Sequence, residues 1–545
     1  NEKTSFFTHV GFQTNGGLEK YTKYPNNDQT FTLRGNVDNT IKDFITFKAG
    51  FNAALRNKQW PNMSTQTFFN LLSDTRPNEF PIFIPGDKAK KPDTEFVLGG
   101  TAENQNNVYG MLMNNGYREG EYSYIQSDMT LDIDLNKWVQ GLVIKPSVTF
   151  DVYTAMTSSQ GGTFSVFEPV MNQDRSEVTG YKIWGKDTRE TNKTRTSDVT
   201  QRNFAYNVTA TYNRKFGEHD INALIVYFQQ TKEYNSLIQK LKRQNIGGNI
   251  NYMYSDRYIA DLSVNYVGVS SFAPGKRFGT FPTFGAGWIL SEESFMKNIP
   301  WLDYLKLRAS YGILGSTAYT ADGLFSAYLY RDVWERGGAH ADLNGLNNIA
   351  RPYQTGNPDI GFQKSYEFNI GADFLLLNRS LSLSAGYFNN KLKGALANLT
   401  DITPGVIGKG PALVMRNYKD YVSKGFEAEF LYQKKFGELQ VAAGANITYG
   451  KTDITKEANP DYPAGYEGLL KIQAMGDIQG LRVTGTFADQ NEIDKAPVQL
   501  FGTVVPGDFR YEDTNNDGFI DDRDRTVIAN TSPSVEYGIT IKLAY

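Results

Sequence analysis

The chain has 545 residues and a formal net charge of only −3, with acidic and basic residues interspersed, so nucleic acid is excluded as an expected partner. Cysteine is absent, which excludes disulfides, thiolate metal sites and a cysteine nucleophile. No apolar run approaches the roughly 18 residues that a membrane-spanning helix needs, and the mean hydropathy of −0.46 resembles that of a soluble protein.

The first predicted strands show strict alternation of apolar and polar residues. The sequence contains 33 Tyr, 35 Phe and 51 Gly, a mixture typical of strands and turns. Alternation runs from Phe31 to Asp38, from Ile45 to Asn52, and most clearly from Ile125 to Leu135. In the third segment Asp128, Asp132 and Asp134 share one face. This period of two predicts strands whose two faces contact different environments.

Later segments repeat the pattern, namely Leu305 to Tyr311, Glu367 to Phe374 and Glu536 to Leu543. In a transmembrane β-barrel, half of each strand stays polar because it faces the lumen, so the averaged hydropathy looks soluble. Asp128, Asp132 and Asp134 are therefore predicted to line the lumen and to contact water or a plug, not to form an acid/base constellation. Equivalent inward positions are predicted for Lys306, Arg308, Glu367, Asp373, Glu427 and Glu429.

The spacing of the strands also favours a barrel, because short turns alternate with long polar connections. Short turns are predicted near 38–43, 136–141, 215–219, 254–258, 377–380 and 434–438, and long connections near 57–121, 154–201, 315–363, 394–420 and 452–534. The expected fold class is all-β, a transmembrane antiparallel β-barrel. About 16 strands are predicted, each of the roughly 9 to 11 residues that cross a bilayer. A compact sandwich rarely tolerates such long connections.

A run of short motifs then resembles a known family. Arg277-Phe-Gly279, Phe281-Pro282, Ala286-Gly-Trp288 and Ser291-Glu-Glu-Ser-Phe295 follow a tight turn at Tyr254-Ser-Asp-Arg-Tyr258, and Leu305-Lys-Leu-Arg-Ala-Ser-Tyr-Gly312 comes next. This order resembles the central barrel signature of SusC/RagA-type TonB-dependent transporters of the Bacteroidota. The resemblance continues through Asn357-Pro-Asp359, Ser423-Lys-Gly-Phe-Glu427 and Gly507-Asp508, and weakens in loops such as 270–276.

The resemblance implies an outer-membrane protein that imports a glycan or peptide fragment, handed over by a SusD-like surface lipoprotein and driven by TonB. It implies no enzymatic activity. Family members carry a plug and a TonB box ahead of the barrel, so residues 1–545 are expected to be one barrel domain truncated at both ends. The visible strands would then be part of about 22. A plugless porin and a structural barrel subunit of a larger envelope complex stay open as alternatives.

One motif suggests a metal. Residues 513–524 place oxygen ligands at positions 1, 3, 5, 7, 9 and 12 of a Ca²⁺ loop, with Gly518 at position 6. The shorter Asp524 stands where a bidentate Glu is usual. The predicted ligands are Asp513, Asn515, Asp517, the Phe519 carbonyl, Asp521 and Asp524. An Asx-rich turn without metal is the competing interpretation.

The remaining candidate residues point to no chemistry. His9, His219 and His340 are far apart and are expected to be incidental, and no nucleophile motif or phosphate-binding loop is present. Aromatic residues near predicted strand ends are expected to form interfacial belts: Trp138, Tyr252, Tyr254, Tyr258, Trp288, Trp301 and Tyr304. Packing at the edge of a core is the alternative for these rings.

Overall fold

The computed structural model describes residues 3–17, 22–76, 78–89, 91, 93–174, 176–188, 191–236, 239–317, 328–342, 345–399, 414–457 and 474–545. The chain divides into two compact units. Unit 1 comprises Asn1–Leu135, Ile144–Val208 and Gln229–Lys240, and unit 2 comprises Asn136–Val143, Thr209–Phe228 and Leu241–Tyr545. Within the part of the chain that is described, no helix is both long enough and apolar enough to cross a membrane.

The first half of the chain contains strands β1 to β11 and two short helices. In chain order these elements are β1 (Thr4–Gly16), β2 (Asn27–Lys42), β3 (Ile45–Pro61), α1 (Thr65–Asp74), β4 (Phe83–Pro85), β5 (Phe96–Leu98), α2 (Val108–Asn114), β6 (Gly116–Asp134), β7 (Leu142–Gly161), β8 (Val166–Met171), β9 (Val178–Trp184), β10 (Thr194–Phe216) and β11 (His219–Tyr234).

The second half contains strands β12 to β28 and one helix. They are β12 (Leu241–Tyr254), β13 (Tyr258–Val269), β14 (Phe278–Ile289), β15 (Leu302–Ser316), β16 (Val333–Asp342), β17 (Gly345–Gln354), β18 (Gln363–Leu376), β19 (Leu381–Asn398), β20 (Met415–Phe436), β21 (Leu439–Lys456), β22 (Asp477–Gly480), β23 (Val483–Thr486), α3 (Gln490–Lys495), β24 (Val498–Gln499), β25 (Phe509–Tyr511), β26 (Phe519–Ile520), β27 (Thr526–Asn530) and β28 (Val535–Ala544).

Sixteen of these strands form one sheet in which hydrogen-bonded neighbours follow one another along the chain. The order is β1-β2-β3-β6-β7-β10-β11-β12-β13-β14-β15-β18-β19-β20-β21-β28. Short turns such as 43–44 and 255–257 alternate with long connections such as 62–115 and 457–534. The prediction of sixteen strands in an up-and-down order is therefore confirmed.

The predicted strand length is wrong. Sheet strands range from 10 residues in β28 to 23 residues in β10, and most exceed the expected length. At about 3.3 Å per residue, β10 is far longer than a bilayer crossing requires. Its first residues, Thr194 to Arg202, are polar apart from Val199 and mostly exposed, so pairing continues where both faces contact water.

The long connections are folded. The connection between β3 and β6 contains α1, β4, β5 and α2, and the one between β7 and β10 contains β8 and β9. Buried apolar residues also concentrate in such connections, as in the cluster of Ile84, Ala89, Val97 and Phe167. Small local cores therefore hold the connections, whereas the sheet itself keeps few buried apolar side chains.

Candidate functional site

The large apolar side chains of β28, the last strand of the sheet, are mostly exposed. In β28, Tyr537, Ile539, Ile541 and Leu543 are 77%, 72%, 69% and 68% exposed. They alternate with polar residues, so they all lie on one face of the strand. Large exposed apolar patches on a folded protein mark a surface that contacts lipid or a partner.

The same face continues without interruption across four consecutive strands of unit 2. Leu262 pairs with Phe284, Phe284 with Tyr311, and Tyr311 with Phe368. All four side chains are exposed. We call the face with this row and the exposed β28 residues the apolar face. Its composition is that of a surface solvated by hydrocarbon.

The opposite face carries paired charges and amides, and we call it the polar face. A continuous row there runs from Lys306 through Asp373, Ser384 and Glu429 to Asn446. Nε of Arg308 donates to Asp373 at 3.2 Å, and the Ser384 hydroxyl donates to the same carboxylate at 2.7 Å. Residues predicted to line the lumen, such as Lys306 and Asp373, therefore share one face of the sheet, opposite the apolar face.

Unit 1 repeats this chemistry on its own strands. The Asp132 carboxylate lies 3.4 Å from the Lys48 ammonium and 3.2 Å from that of Lys145, and it is partly exposed. Gly50 lies directly opposite Asp128, where a Cβ would clash with the carboxylate. The charge pairs of Asp132 with Lys48 and Lys145 remain partly hydrated, so they contribute little stability and keep this face of the sheet wettable.

The family signature residues meet at one turn of unit 2. The carboxylate of Glu293 accepts hydrogen bonds from the Tyr258 hydroxyl at 2.6 Å, from Nε1 of Trp288 at 3.1 Å and from Arg257 at 3.4 Å. These donors, the Tyr258 hydroxyl first, lower the pKa of the Glu293 carboxyl. The motif therefore joins two connections, 255–257 and 290–301, to the neighbouring ends of β13 and β14, and it has a structural role.

Next to this turn, rings stack at the same end of the strands. His219 contacts Phe216, Tyr252 and Tyr254, with ring centroids 5.4, 5.9 and 5.1 Å apart. Nδ1 of His219 also lies 2.7 Å from the Tyr252 hydroxyl. His219 therefore has a packing role, and the prediction that it takes part in no chemistry stays a prediction. The side chain of His340 lies outside the described residues.

The six predicted Ca²⁺ ligands lie together in one turn of the 457–534 connection. Asn516 and Gly518 have φ of 58° and 85°, the left-handed conformation that such a turn needs. The Asp513 carboxylate accepts the backbone N–H of Gly518 at 2.9 Å, and Asp517 accepts that of Phe519 at 2.9 Å. These are the hydrogen bonds of an Asx-rich turn.

The other carboxylates of this turn contact an arginine or the backbone. The Arg523 guanidinium donates to Asp521 at 2.6 Å and to Asp517 at 2.9 Å, and it lowers the pKa of Asp521. Asp524 is fully buried and accepts the backbone N–H groups of Thr514 and Asp521 at 2.9 and 2.8 Å. Across the described residues, no group of three or more His, Cys, Asp or Glu is arranged to hold a metal. Calcium binding stays a prediction.

The chain resembles several known proteins. It is 23% identical over 100% of its length to TonB-dependent receptor P39 of Formosa agariphila, of which it covers 54%. It is 25% identical over 64% of its length to TonB-dependent receptor SusC of Bacteroides thetaiotaomicron, of which it covers 37%. The chain thus spans about half the length, or less, of the curated relatives it matches.

Comparison of structures and of family models leads to the same group. The solved structure of the RagAB peptide transporter superposes with a TM-score of 0.67 at 15% identity, covering 100% of this chain and 59% of that one, which is a likeness in fold. The family model described as TonB dependent receptor-like, beta-barrel matches residues 3–520. Because this match covers nearly the whole chain, we conclude that the chain belongs to the TonB-dependent receptor-like β-barrels and lies in the outer membrane.

Proposed function

We propose that the protein containing this chain imports a bulky nutrient, a glycan or peptide fragment, across the outer membrane. In this proposal a SusD-like surface lipoprotein delivers the substrate and TonB supplies the energy. Two relatives support it: one is named SusC, and the solved RagAB structure is described as a peptide transporter. The relatives are receptors and transporters, so transport, and not catalysis, is the proposed activity.

The observation that carries the proposal is the contrast between the two faces of the sheet. The apolar face exposes rings and aliphatic chains such as Phe284 and Ile539. The polar face holds hydrated charge pairs such as Arg308 with Asp373. A barrel wall that is apolar toward lipid and polar toward its lumen suits passage of a hydrated solute.

A porin and a structural subunit are the competing functions, and energy dependence separates them from an importer. A porin equilibrates small solutes without TonB. A structural subunit transports nothing, and its loss would disturb a larger envelope complex instead.

Uptake in the source bacterium tests the proposal. Labelled glycan and peptide fractions would be offered to wild-type cells, to a strain lacking this protein and to one lacking TonB. We expect both deletions, and dissipation of the proton gradient, to abolish uptake of at least one fraction, and a SusD-like lipoprotein to co-purify with the protein. Uptake that survives loss of TonB would favour the porin, and unchanged uptake in the strain lacking the protein would favour the structural subunit.

We also propose that Ca²⁺ binds the turn at 513–524 and braces the 457–534 connection. Hard oxygen ligands around a left-handed Gly518 support this proposal. Ca²⁺ would compete with the Arg523 guanidinium for the carboxylates of Asp517 and Asp521, because the two cations repel each other at close range.

A further inference from the structure

Three connections of unit 1 fold together at the long-connection end of their strands. The loop cap, as we call it, comprises the described residues of 22–26, 62–115 and 162–193. The Thr22 hydroxyl donates to the Leu112 carbonyl at 3.2 Å, and the Gly100 N–H donates to the Phe167 carbonyl at 3.2 Å. Each connection is therefore hydrogen-bonded to another, and the cap is a folded structure.

The cap has its own core and a buried polar residue, Asn107, that links its segments. Ile84, Ala89, Val97 and Phe167 are buried together, with Tyr181 packed against them. The side chain of Asn107 is 0% exposed, and its Nδ2 donates to the carbonyls of Ile82 and Gly99, at 2.9 Å each. Such a built framework holds the groups around it in place before any ligand arrives.

A cavity of about 790 Å³ lies within this framework, a volume within the usual range for ligand pockets. Its lining combines aromatic rings, side-chain amides and charges. The residues that matter are Lys23, Lys91, Phe96, Asn114, Gln160 and Phe164. Rings beside amides can stack on a sugar and hydrogen-bond to its hydroxyl groups.

The charge of the lining favours an anion. Among the described residues of the lining, Lys23 and Lys91 are the basic ones and Asp187 is the acidic one. Oδ1 of Asp187 already accepts the backbone N–H of Ser165 at 2.6 Å and its hydroxyl at 2.9 Å. The ammonium of Lys91 lies 5.1 Å from the Phe167 ring, beside the aromatic part of the lining. Two ammonium groups in one lining suit a ligand that carries a carboxylate or a sulfate.

The backbone around the cavity is partly paired. One edge of β5 (Phe96–Leu98) is paired with β4, and Gly99, just beyond β5, forms a parallel bridge with Phe167 of β8. Peptides are often bound by addition to a strand edge. Recognition is therefore assigned to the side chains of the lining, and acidic peptides are the competing ligand in the test.

We propose that the cavity of the loop cap binds an acidic sugar unit of an oligosaccharide, with Lys23 and Lys91 contacting its anionic group. This inference rests on the proposed import function and narrows its substrate class to acidic glycans. It concerns binding at the cap and not the energy-driven step, so the two can fail separately.

Binding would be measured by calorimetry on the protein purified from outer membranes in detergent. The probes are uronate oligosaccharides, sulfated oligosaccharides, the methyl esters of the uronates as neutral matches, and acidic peptides. We expect at least one acidic oligosaccharide to bind, its neutral match to bind about tenfold or more weakly, and affinity to fall with added salt. Uronates and sulfated sugars distinguish the two sources of the anion.

Variants locate the site. Lys23→Gln with Lys91→Gln should weaken binding of the acidic sugar about tenfold or more, and Lys91→Gln alone should give an intermediate loss. Lys182→Gln with Lys186→Gln removes two exposed lysines of the same cap outside the cavity, and should leave affinity unchanged. Hydrogen exchange of the cap confirms that each variant is folded.

Three results would overturn the inference: no acidic oligosaccharide binds, charged and neutral forms bind equally, or the cavity variant binds like the wild type. Binding of acidic peptides alone would also overturn it. Acidic sugar binding without uptake in cells would leave the inference standing and refute import. TonB-dependent uptake of neutral substrates alone would support import and refute the restriction to acidic glycans.

Discussion

Replacing Asn107 by alanine should open the loop cap locally and leave the sixteen-stranded sheet folded. The Asn107 amide donates to the carbonyls of Ile82 and Gly99, and its Oδ1 accepts the N–H of Gly110 at 3.0 Å as the N-cap of α2. The substitution removes all three hydrogen bonds at a fully buried position. No other side chain joins these same three segments in the described part of the cap.

The expected cost follows from these three bonds. Each neutral hydrogen bond contributes about 1 kcal/mol net, and a buried partner left without one costs about 1 to 3 kcal/mol. Loss of an N-cap alone costs about 0.5 to 2 kcal/mol. We therefore expect local opening of the cap to become easier by roughly 3 to 5 kcal/mol, a factor of about 10² to 10³·⁵.

Hydrogen exchange measured peptide by peptide checks this prediction. Protection in 96–114 should fall by that factor in Asn107→Ala, while protection in β3 should not change, because local opening does not require global unfolding. Asn106→Ala, at the exposed neighbouring position, is the matched control and should change little. Asn107→Asp keeps the N-cap acceptor but faces two carbonyls, so it should also lose protection. Equal exchange in Asn107→Ala and the wild type would refute the assigned role.

Three further predictions concern the other elements of the chain. Ile539→Arg puts a charge on the apolar face and should lower the free energy of unfolding, measured with urea in lipid vesicles, by up to about 2 to 4 kcal/mol, depending on its depth in the bilayer. Thr540→Arg on the polar face should lower it much less. Equal losses in the two variants would contradict the assignment of faces. Hydrogen bonds from Tyr258 and Trp288 lower the pKa of Glu293, so its stabilising contribution is complete above the carboxyl's unfolded pKa and is lost as pH falls through the lowered value. Glu293→Gln should therefore reduce the acid-induced fall in melting temperature, and Glu292→Gln, at an exposed position, should not. If the melting temperature of Glu293→Gln falls with acid as steeply as that of the wild type, the stabilising role of Glu293 is refuted. If Ca²⁺ binds at 513–524, millimolar Ca²⁺ should protect this turn from proteolysis, and more strongly in Arg523→Ala. If Ca²⁺ does not change the proteolysis of Arg523→Ala, the calcium proposal is refuted.

The sheet could be predicted from the sequence because a membrane imposes a simple rule on every strand. Alternation identified the strands, and the turn at Tyr254–Tyr258 was predicted at its observed place, where Ser255 and Asp256 have φ of 54°. Strand length could not be predicted in the same way. Beyond the bilayer both faces contact water, so β10 continues from Thr194 without an alternating pattern although its backbone still pairs.

The sites were harder to predict because they depend on contacts between distant segments. The motif around Glu293 was recognised, but its role needs Tyr258 and Trp288 to meet it in space. Asn107 is preceded by no periodic pattern, and only its place before α2 suggests an N-cap. Its two carbonyl partners could not be inferred from the sequence. The same holds for His219, whose partner Tyr252 lies on the next strand, β12, and 33 residues later in the sequence.

The two parts of the chain are under different physical constraints, and this bears on where substrate selectivity resides. Where the sheet crosses the membrane, one face must suit lipid and the other water, so the polar face offers hydrated pairs such as Lys48 with Asp132, which remain partly exposed. Exposed charges of this kind discriminate weakly between solutes because water screens them. The loop cap lies outside this constraint: it has its own core, and the Lys91 ammonium lies 5.1 Å from the centre of the buried Phe167 ring at the wall of the cavity. For the proposed importer we therefore expect substrate selection to depend more on the cap than on the polar face of the sheet.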